Sequence, residues 1–189
     1  MSIPNNLHKE VPIEKATIEL IRAAGALKSI KRSGWIKKAG IEDAESVADH
    51  SFRVAFLAML IGLELPLDSA KLIRMSLLHD LAEASIGDKM PEEKESERSH
   101  RREEDRIVKP LLSHLPKNSR TTLLSDWQDL IMSKSPEAKL TWDIDKLEMV
   151  LQGRDYIRAG HDRRKLREFD AGSRFLTNLG DLLERYSDS

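Results

Sequence analysis

The 189-residue sequence predicts an all-α protein of about seven helices. Three observations carry that prediction. Apolar residues return every three or four positions in one window after another, the period of a helix with one buried face. No stretch of useful length alternates apolar and polar residues as a half-buried strand does. Most of the apolar windows begin or end at a capping residue, a glycine or a proline. There is no internal repeat.

The first helix is expected from Ile13, where Ile13, Ala16, Leu20, Ala23, Leu27 and Ile30 share a face. Residues 1–12 are polar, contain Pro4 and Pro12, and are expected to be flexible, leaving 13–189 as a single domain. Gly34 in the run KRSGW breaks the first helix, and residues 36–44 read as a loop with Gly40. Ser46 is placed to cap the second helix, with Asp49 three residues on as a variant capping box. Its inward stripe is Val47, His50, Val54, Leu57 or Ala58, and Ile61, with Asp49 turned about 100° away. That helix ends near Leu63, and Pro66 forbids its continuation. Asp68 caps a third helix that runs to a stop at Gly87, with Leu72, Met75 or Ser76, His79 and Glu83 along one face. The charged run Glu92–Glu104 shows no apolar face and reads as a solvated loop. It leads into a short helix from Ile107 that Pro116 stops. Further helices are expected from Ser119, from Glu137 to about Tyr156, and from Phe175 to Leu183, with a polar connection over 160–170.

Bulk composition excludes several classes of function. Lys and Arg number 31 against 32 Asp and Glu, a net charge of −1. That balance lacks the basic excess of a nucleic-acid-polymer binder. No cysteine is present, so disulfides, zinc–thiolate sites and cysteine nucleophiles are ruled out. The N-terminal residues have no apolar core for a signal peptide. The greasiest stretch, Val54 to Leu67, is too short to span a bilayer. A soluble cytoplasmic chain with no membrane partner is the expectation. Glycine-rich phosphate loops and nucleophile elbows are also absent.

The residues with chemistry in them are His50, His79, Asp80, Glu83 and Asp145. Two imidazoles and two carboxylates brought together from three helices can hold a divalent metal and leave positions open. An open site of that kind polarises a phosphoryl oxygen and acidifies water. Glu83, four residues after His79, falls on the same helical face and is placed for proton transfer. Taken singly, each residue has a plainer explanation. An inward histidine is more often a hydrogen-bonded core residue, and Asp145, with Asp143 as its competitor, suits a helix N-terminus. Buried acids and imidazoles together must be paired or coordinated, however. His8, His100, His114 and His161 lie in polar surroundings and read as surface residues.

In combination these residues are familiar. ESVADH, then HD 29 residues after its histidine, then LAEASIGD and DIDKLE, resembles the HD-domain metal-dependent phosphohydrolases, in particular their small 5′-deoxynucleotidase branch. The resemblance covers roughly residues 15–160. It implies an HD-domain helical bundle around one divalent metal held by His50, His79, Asp80 and Asp145. Mn, Co or Mg is favoured, with Zn, Fe or Ni as alternatives. It implies that Glu83 works with the metal-bound water and that Asp88 places the substrate. It further implies that Arg32 and Trp35 of RSGW line the nucleotide pocket, with Arg22 or Lys31 as alternatives to Arg32. His100–Asp105 is similar to a charged stretch of the same branch. The implied activity is hydrolysis of deoxynucleoside 5′-monophosphates by a homodimer, the helices 13–30 and 175–183 offering a dimer face. The competing readings are another HD phosphohydrolase, acting on triphosphates or cyclic nucleotides, and a non-catalytic metal- or nucleotide-binding module.

Overall fold

The computed structural model describes residues 15–171 and 175–177. Among them are eight α-helices: α1 Lys15–Ala26, α2 Val47–Glu64, α3 Ser69–Leu78, α4 Glu83–Ile86, α5 Glu97–Ser113, α6 Lys117–Met132, α7 Pro136–Arg158 and α8 Arg163–Ala171. No strand longer than an isolated bridge occurs in the described residues, as the all-α expectation requires. Residues 1–12, His8 and most of the expected last helix lie outside the described residues.

The centre is the trio α2, α3 and α7. Val54, Ala58, Leu72, Leu140 and Ile144 meet there and are essentially inaccessible. Each buried Val, Leu or Ile among them stabilises by roughly 1.5–3 kcal/mol relative to exposure. Behind α3, the side chains of Met75, Leu78, Val108, Leu112, Trp127 and Leu130 join α3 to α5 and α6. A smaller cluster, Trp35, Ile41, Tyr156 and Leu166, ties the segment before α2 to α7 and α8.

The start of α2 follows its expected chemistry. The Ser46 Oγ accepts from the Asp49 N–H at 3.1 Å, while Asp49 Oδ2 accepts from the Ser46 N–H at 2.9 Å. The Ser46 hydroxyl and then the Ser46 N–H, both donating to Asp49 Oδ2, hold the Asp49 carboxyl below its ordinary value. Asp68 likewise caps α3 by accepting from the Lys71 N–H. The α2–α3 turn is tight, because Ser69 Oγ donates to the Gly62 carbonyl at 2.6 Å. A Cβ on Gly62 would come within 3.1–3.2 Å of Ser69.

Four expectations fail locally. The helix from Asp68 to Gly87 is not continuous: α3 stops at Leu78, and α4 is a single turn beginning at Glu83. His79 Nδ1 donates to the Ser76 carbonyl at 2.7 Å, the acceptor that the amide of residue 80 takes in an unbroken α-helix. Three-residue bonds from Leu81 to Leu78 and from Glu83 to Asp80 tighten the chain instead. In that turn Glu83 eclipses Asp80 rather than His79. Second, the expected loop at 36–44 contains a wide helical turn, Trp35–Ala39. Third, the charged run 92–104 is not all loop. Helix α5 begins at Glu97, and its inward face is His100, Glu104, Val108 and Leu112. Apolar periodicity misses a helix whose first inward positions are polar. His100, expected at the surface, is therefore buried, while His114 and His161 are exposed. Last, residues 163–171, expected as a connection, form α8.

Candidate active site

His50 sits in the first turn of α2, His79 and Asp80 in the tightened turn after α3, and Asp145 midway along α7. The structure brings all four together. His50 Nε2 lies 3.0 Å from Asp145 Oδ1, 3.5 Å from Asp80 Oδ2 and 3.2 Å from His79 Nε2. His79 Nε2 is 3.2 Å from Asp80 Oδ2 and 3.9 Å from Asp145 Oδ1.

Each imidazole is oriented from behind. The Nδ1 of His79 is occupied by the Ser76 carbonyl, and that of His50 by the Glu148 carboxylate. In those tautomers both Nε2 lone pairs face the same point, which is unfavourable unless a proton or a cation lies between them. Ligands at about 2.0–2.2 Å from one ion lie about 3–3.5 Å from their neighbours. His50, His79 and Asp145 present ligand atoms close enough to share one divalent cation, and Asp80 Oδ2 stands beside both imidazoles as the fourth candidate ligand.

The titration behaviour describes the same cluster. Burial and Arg32 depress His50, but its bonds to Asp145 and Glu148 outweigh them and push it up to about 10. His79 is also raised, with Asp80 and Asp145 overcoming its burial. Asp80 is held well below the carboxylate range, His79 and Arg32 prevailing over burial. Asp145 is lowered mainly by His50, again against burial. The carboxylates thus draw positive charge to this point, and a cation would replace the protons.

A cavity of about 520 Å³ opens over these groups, within the range of small-ligand sites. Arg32 forms one wall. Its Nη1 lies 3.4 Å from Asp80 Oδ2 and 3.1 Å from Asp88 Oδ1. The backbone around Arg32 is fixed to the start of α2, with the Arg32 N–H donating to the Glu45 carbonyl and the Val47 N–H to the Ile30 carbonyl. Gly87, with φ of +72°, reverses the chain so that Asp88 returns to this wall. There Asp88 Oδ2 also accepts from the Ser33 Oγ at 2.7 Å. Both Asp88 oxygens are therefore engaged. Of the alternatives to Arg32, Arg22 is exposed on α1 and Lys31 turns outward to the Ala44 carbonyl; neither lines the cavity. Trp35 does reach the cavity but is 2 % exposed. Its ring lies 4.2 Å from that of Phe169, with Nε1 donating to Glu45 at 2.9 Å.

Glu83 also lines the cavity. It is buried, and its Oε2 has no hydrogen-bond partner. Burial, then the Asp80 charge, push its carboxyl up to about 10. A protonated acid is therefore held beside the four-residue cluster.

Two residues escaped the sequence reading. Glu148, fully buried, holds His50 through Nδ1 and accepts from the Arg53 Nε at 2.8 Å. Arg53 is anchored in turn by Asp155 at 2.7 Å and Gln152 at 2.8 Å. The available signal was spacing, since Glu148 is three residues after Asp145 and so on the same side of α7. The second is Glu104, which lines the cavity beside His100. Asp143, the competitor of Asp145, is spoken for elsewhere: it accepts from the backbone N–H groups of Leu176 and Thr177, each at 2.6 Å.

The HD domain family matches residues 24–179. The human "5'-deoxynucleotidase HDDC2" is 33% identical over 156 residues, spanning 82% of this chain and 75% of that protein. The Schizosaccharomyces pombe "5'-deoxynucleotidase hdd1" is 33% identical over 148 residues, or 76% and 73% of the two chains. Among solved structures, the PH0347 protein of Pyrococcus horikoshii superposes with a TM-score of 0.66 at 28% identity, covering 89% of this chain and 98% of that one.

Proposed function

This chain belongs to the HD-domain family, and on that premise we propose that it is a metal-dependent 5′-deoxynucleotidase. It converts deoxynucleoside 5′-monophosphates to deoxynucleosides and inorganic phosphate, the activity named in its relatives. The observation that carries the reading is the pair of imidazole Nε2 atoms 3.2 Å apart, flanked by two carboxylates and walled by one arginine. That arrangement suits a cation and a phosphate together.

His50, His79, Asp80 and Asp145 would hold the ion. Without a thiolate the set has no soft ligand to favour Zn strongly; the resemblance favours Mn, Co or Mg, with Zn, Fe or Ni as alternatives. When bound, the ion polarises the phosphoryl oxygens and lowers the pKa of water. Arg32 is placed to neutralise the phosphate and fix its orientation. Asp88, with both oxygens on Arg32 and Ser33, aims that guanidinium; a sugar hydroxyl reaching Asp88 would have to share them. Glu83 holds a proton at a carboxyl oxygen and gives it to the 5′-oxygen as the phosphorus–oxygen bond breaks, while water supplies the new oxygen. Most of the catalysis is positioning and charge stabilisation, as in other phosphoryl transfers. Trp35 supports the wall that carries Arg32 rather than presenting a free face, so its contact with a sugar or base is confined to its cavity edge.

The test is phosphate release from deoxy- and ribonucleoside 5′-monophosphates, as purified, after chelation, and with Mg, Mn or Co restored. Metal-dependent release that prefers the deoxy compounds is expected. No release from any monophosphate with any metal would overturn the reading.

We also read residues 13–189 as a single domain and the chain as cytoplasmic; no described helix is long and apolar enough to cross a membrane. The homodimer draws its support from exposed apolar side chains. Ile18 and Ile21 lie on α1, and a longer stripe, Phe52, Phe56, Leu60 and Leu63, runs along α2. Sedimentation of the wild type and of Phe56→Ser tests which face, if either, associates.

A further inference from the structure

Glu104 and His100 are buried polar side chains that the reaction described above leaves without a task. Glu104 Oε1 lies 3.1 Å from His100 Nε2, and the two side chains are 11% and 7% exposed. No lysine or arginine among the described residues makes an ion pair with Glu104. Its other oxygen has no hydrogen-bond partner among them either. The buried, unpartnered side-chain atoms of the described residues do not include the Glu104 oxygens, so this carboxyl keeps its polar end open to the cavity. Two turns further along the same face of α5, Val108 and Leu112 fill the corresponding positions with apolar side chains, so packing alone does not ask for an acid here.

What distinguishes positions 100 and 104 is that they face the cavity, together with Asp80 and Asp145. The two ends are electrostatically in touch. Burial pushes the Glu104 carboxyl up to about 7, Lys94 opposes that, and the Asp80 charge adds to it. Burial and the Lys94 charge lower His100, which keeps the ring neutral. A nucleotide is a linear object: phosphate, sugar, base. With its phosphate at the four-residue cluster and Arg32, a nucleotide in this cavity can turn its base toward His100 and Glu104 of α5, which line it as well.

We infer that Glu104, seated against His100, accepts a hydrogen bond from an N–H on the Watson–Crick edge of the substrate base, making this end of the cavity the base subsite. This rests on the nucleotidase reading above. Each of the four common bases presents such an N–H, as an exocyclic amine or a ring imide. A base-free sugar phosphate presents none and would leave the buried carboxyl unpaired, which is how a polar site discriminates against a substrate lacking the matching group. Lys94 and Arg101 line the same end and supply the opposite polarity for base carbonyls. Arg101 is fixed there, with its guanidinium 5.5 Å over the Trp142 ring and bonded to the Ile131 carbonyl.

The experiment compares kcat/KM for the four deoxynucleoside 5′-monophosphates with that for 2-deoxyribose 5-phosphate, which has the same phosphate and sugar and no base. It is run on the metal-loaded wild type, Glu104→Leu and Glu104→Gln. The wild type is expected to prefer its best nucleotide over the sugar phosphate. Glu104→Leu should lower that preference at least tenfold, mainly through KM for the nucleotide. Glu104→Gln retains a carbonyl acceptor and should keep most of it. Because the readout is a ratio within one protein, a general loss of folded enzyme cancels. A preference unchanged in Glu104→Leu overturns the inference, as does a fall of equal size in kcat on every substrate. A wild type that cleaves nucleotides and the sugar phosphate equally well overturns it while leaving the phosphatase reading intact. A wild type that cleaves neither overturns both.

Discussion

The two ends of the cavity are built on opposite plans. At one end, His50, His79, Asp80 and Asp145 come from three packed helical segments, and every imidazole is held from behind by a carbonyl or a carboxylate. At the other, Glu104 and His100 come from one helix, one turn apart, and hold mainly each other. On the proposed reading the first end needs fixed positions, because an ion tolerates little error in its ligands, and the second tolerates adjustment, because a hydrogen bond to a base can tilt. Preorganisation is thus concentrated where charge must be placed, and the remainder of the cavity is left to selection.

The sharpest way to break this contrast is to remove a residue at the fixed end. His50→Ala or Asp80→Ala should abolish metal binding and phosphate release together. The loss should exceed the roughly 10–100-fold that a ligand's hydrogen-bond partner usually accounts for. Titration calorimetry with Mn, read beside a phosphate-release assay, checks it. Full activity in either variant would remove these residues from the site.

The same contrast explains what the sequence could disclose. Val47, His50, Val54 and Ala58 form one stripe, so a histidine among apolar residues betrayed its inward direction. His79 and Asp80 were legible as a dipeptide in a similar stripe, although the break after Leu78 was not. Nothing in the apolar pattern of LLHDLAEASIG opposes a continuous helix; at the break the His79 side chain occupies the Ser76 carbonyl, a local side-chain-to-backbone bond that periodicity does not report. Glu104 was legible only as one member of the charged stretch His100–Asp105. Inward and outward positions there have the same composition, and the cavity is what distinguishes them. Asp143 and Asp145 were equivalent on paper. They separate because the backbone of Leu176 and Thr177, more than 30 residues along the chain, claims one of them.

A smaller effect probes how rigid the fixed end must be. Glu148→Gln leaves the size of the side chain unchanged but removes the charge behind His50 Nδ1. Metal affinity should fall by about 10–100-fold, without loss of the fold. Arg53→Met, which removes the support of Glu148, should follow in the same direction by less. A metal Kd unchanged in Glu148→Gln would show that His50 is oriented by packing alone.

At the adjustable end, pH is the finer instrument. Glu104 is raised from the ordinary 4.5 to about 7, first by burial. Between those values the folded chain binds more protons than the unfolded chain, so stability falls as pH rises through this window. The contribution is fully present below about 4.5 and lost above about 7. Discounting for partial exposure, the loss is about 1–2 kcal/mol. Glu104→Gln does not titrate. Relative to wild type it should therefore gain that amount between pH 5 and pH 8 in urea unfolding. An equal difference at both pH values would mean that the carboxyl ionises as an exposed one does, with no buried seat against His100.

The smallest expected effect returns to the fixed end and asks how far its order reaches into the backbone. His50 occupies the first turn of α2, immediately inside the box formed by Ser46 and Asp49. Ser46→Ala removes the oxygen that accepts from the Asp49 N–H and also the hydroxyl that donates to Asp49 Oδ2 at 2.7 Å. A lost cap of this kind destabilises by about 0.5–2 kcal/mol. If the turn frays, His50 is the ligand affected, and binding of the ion must then reorder it. The variant should consequently melt lower than wild type by an amount in that range in chelator, with a metal Kd weakened less than tenfold. An unchanged melting temperature would show that the Lys31–Ser46 bridge and the buried Val47 suffice to hold the turn. A loss of affinity as large as that of Glu148→Gln would make the cap as much a part of the site as the carboxylate behind the histidine.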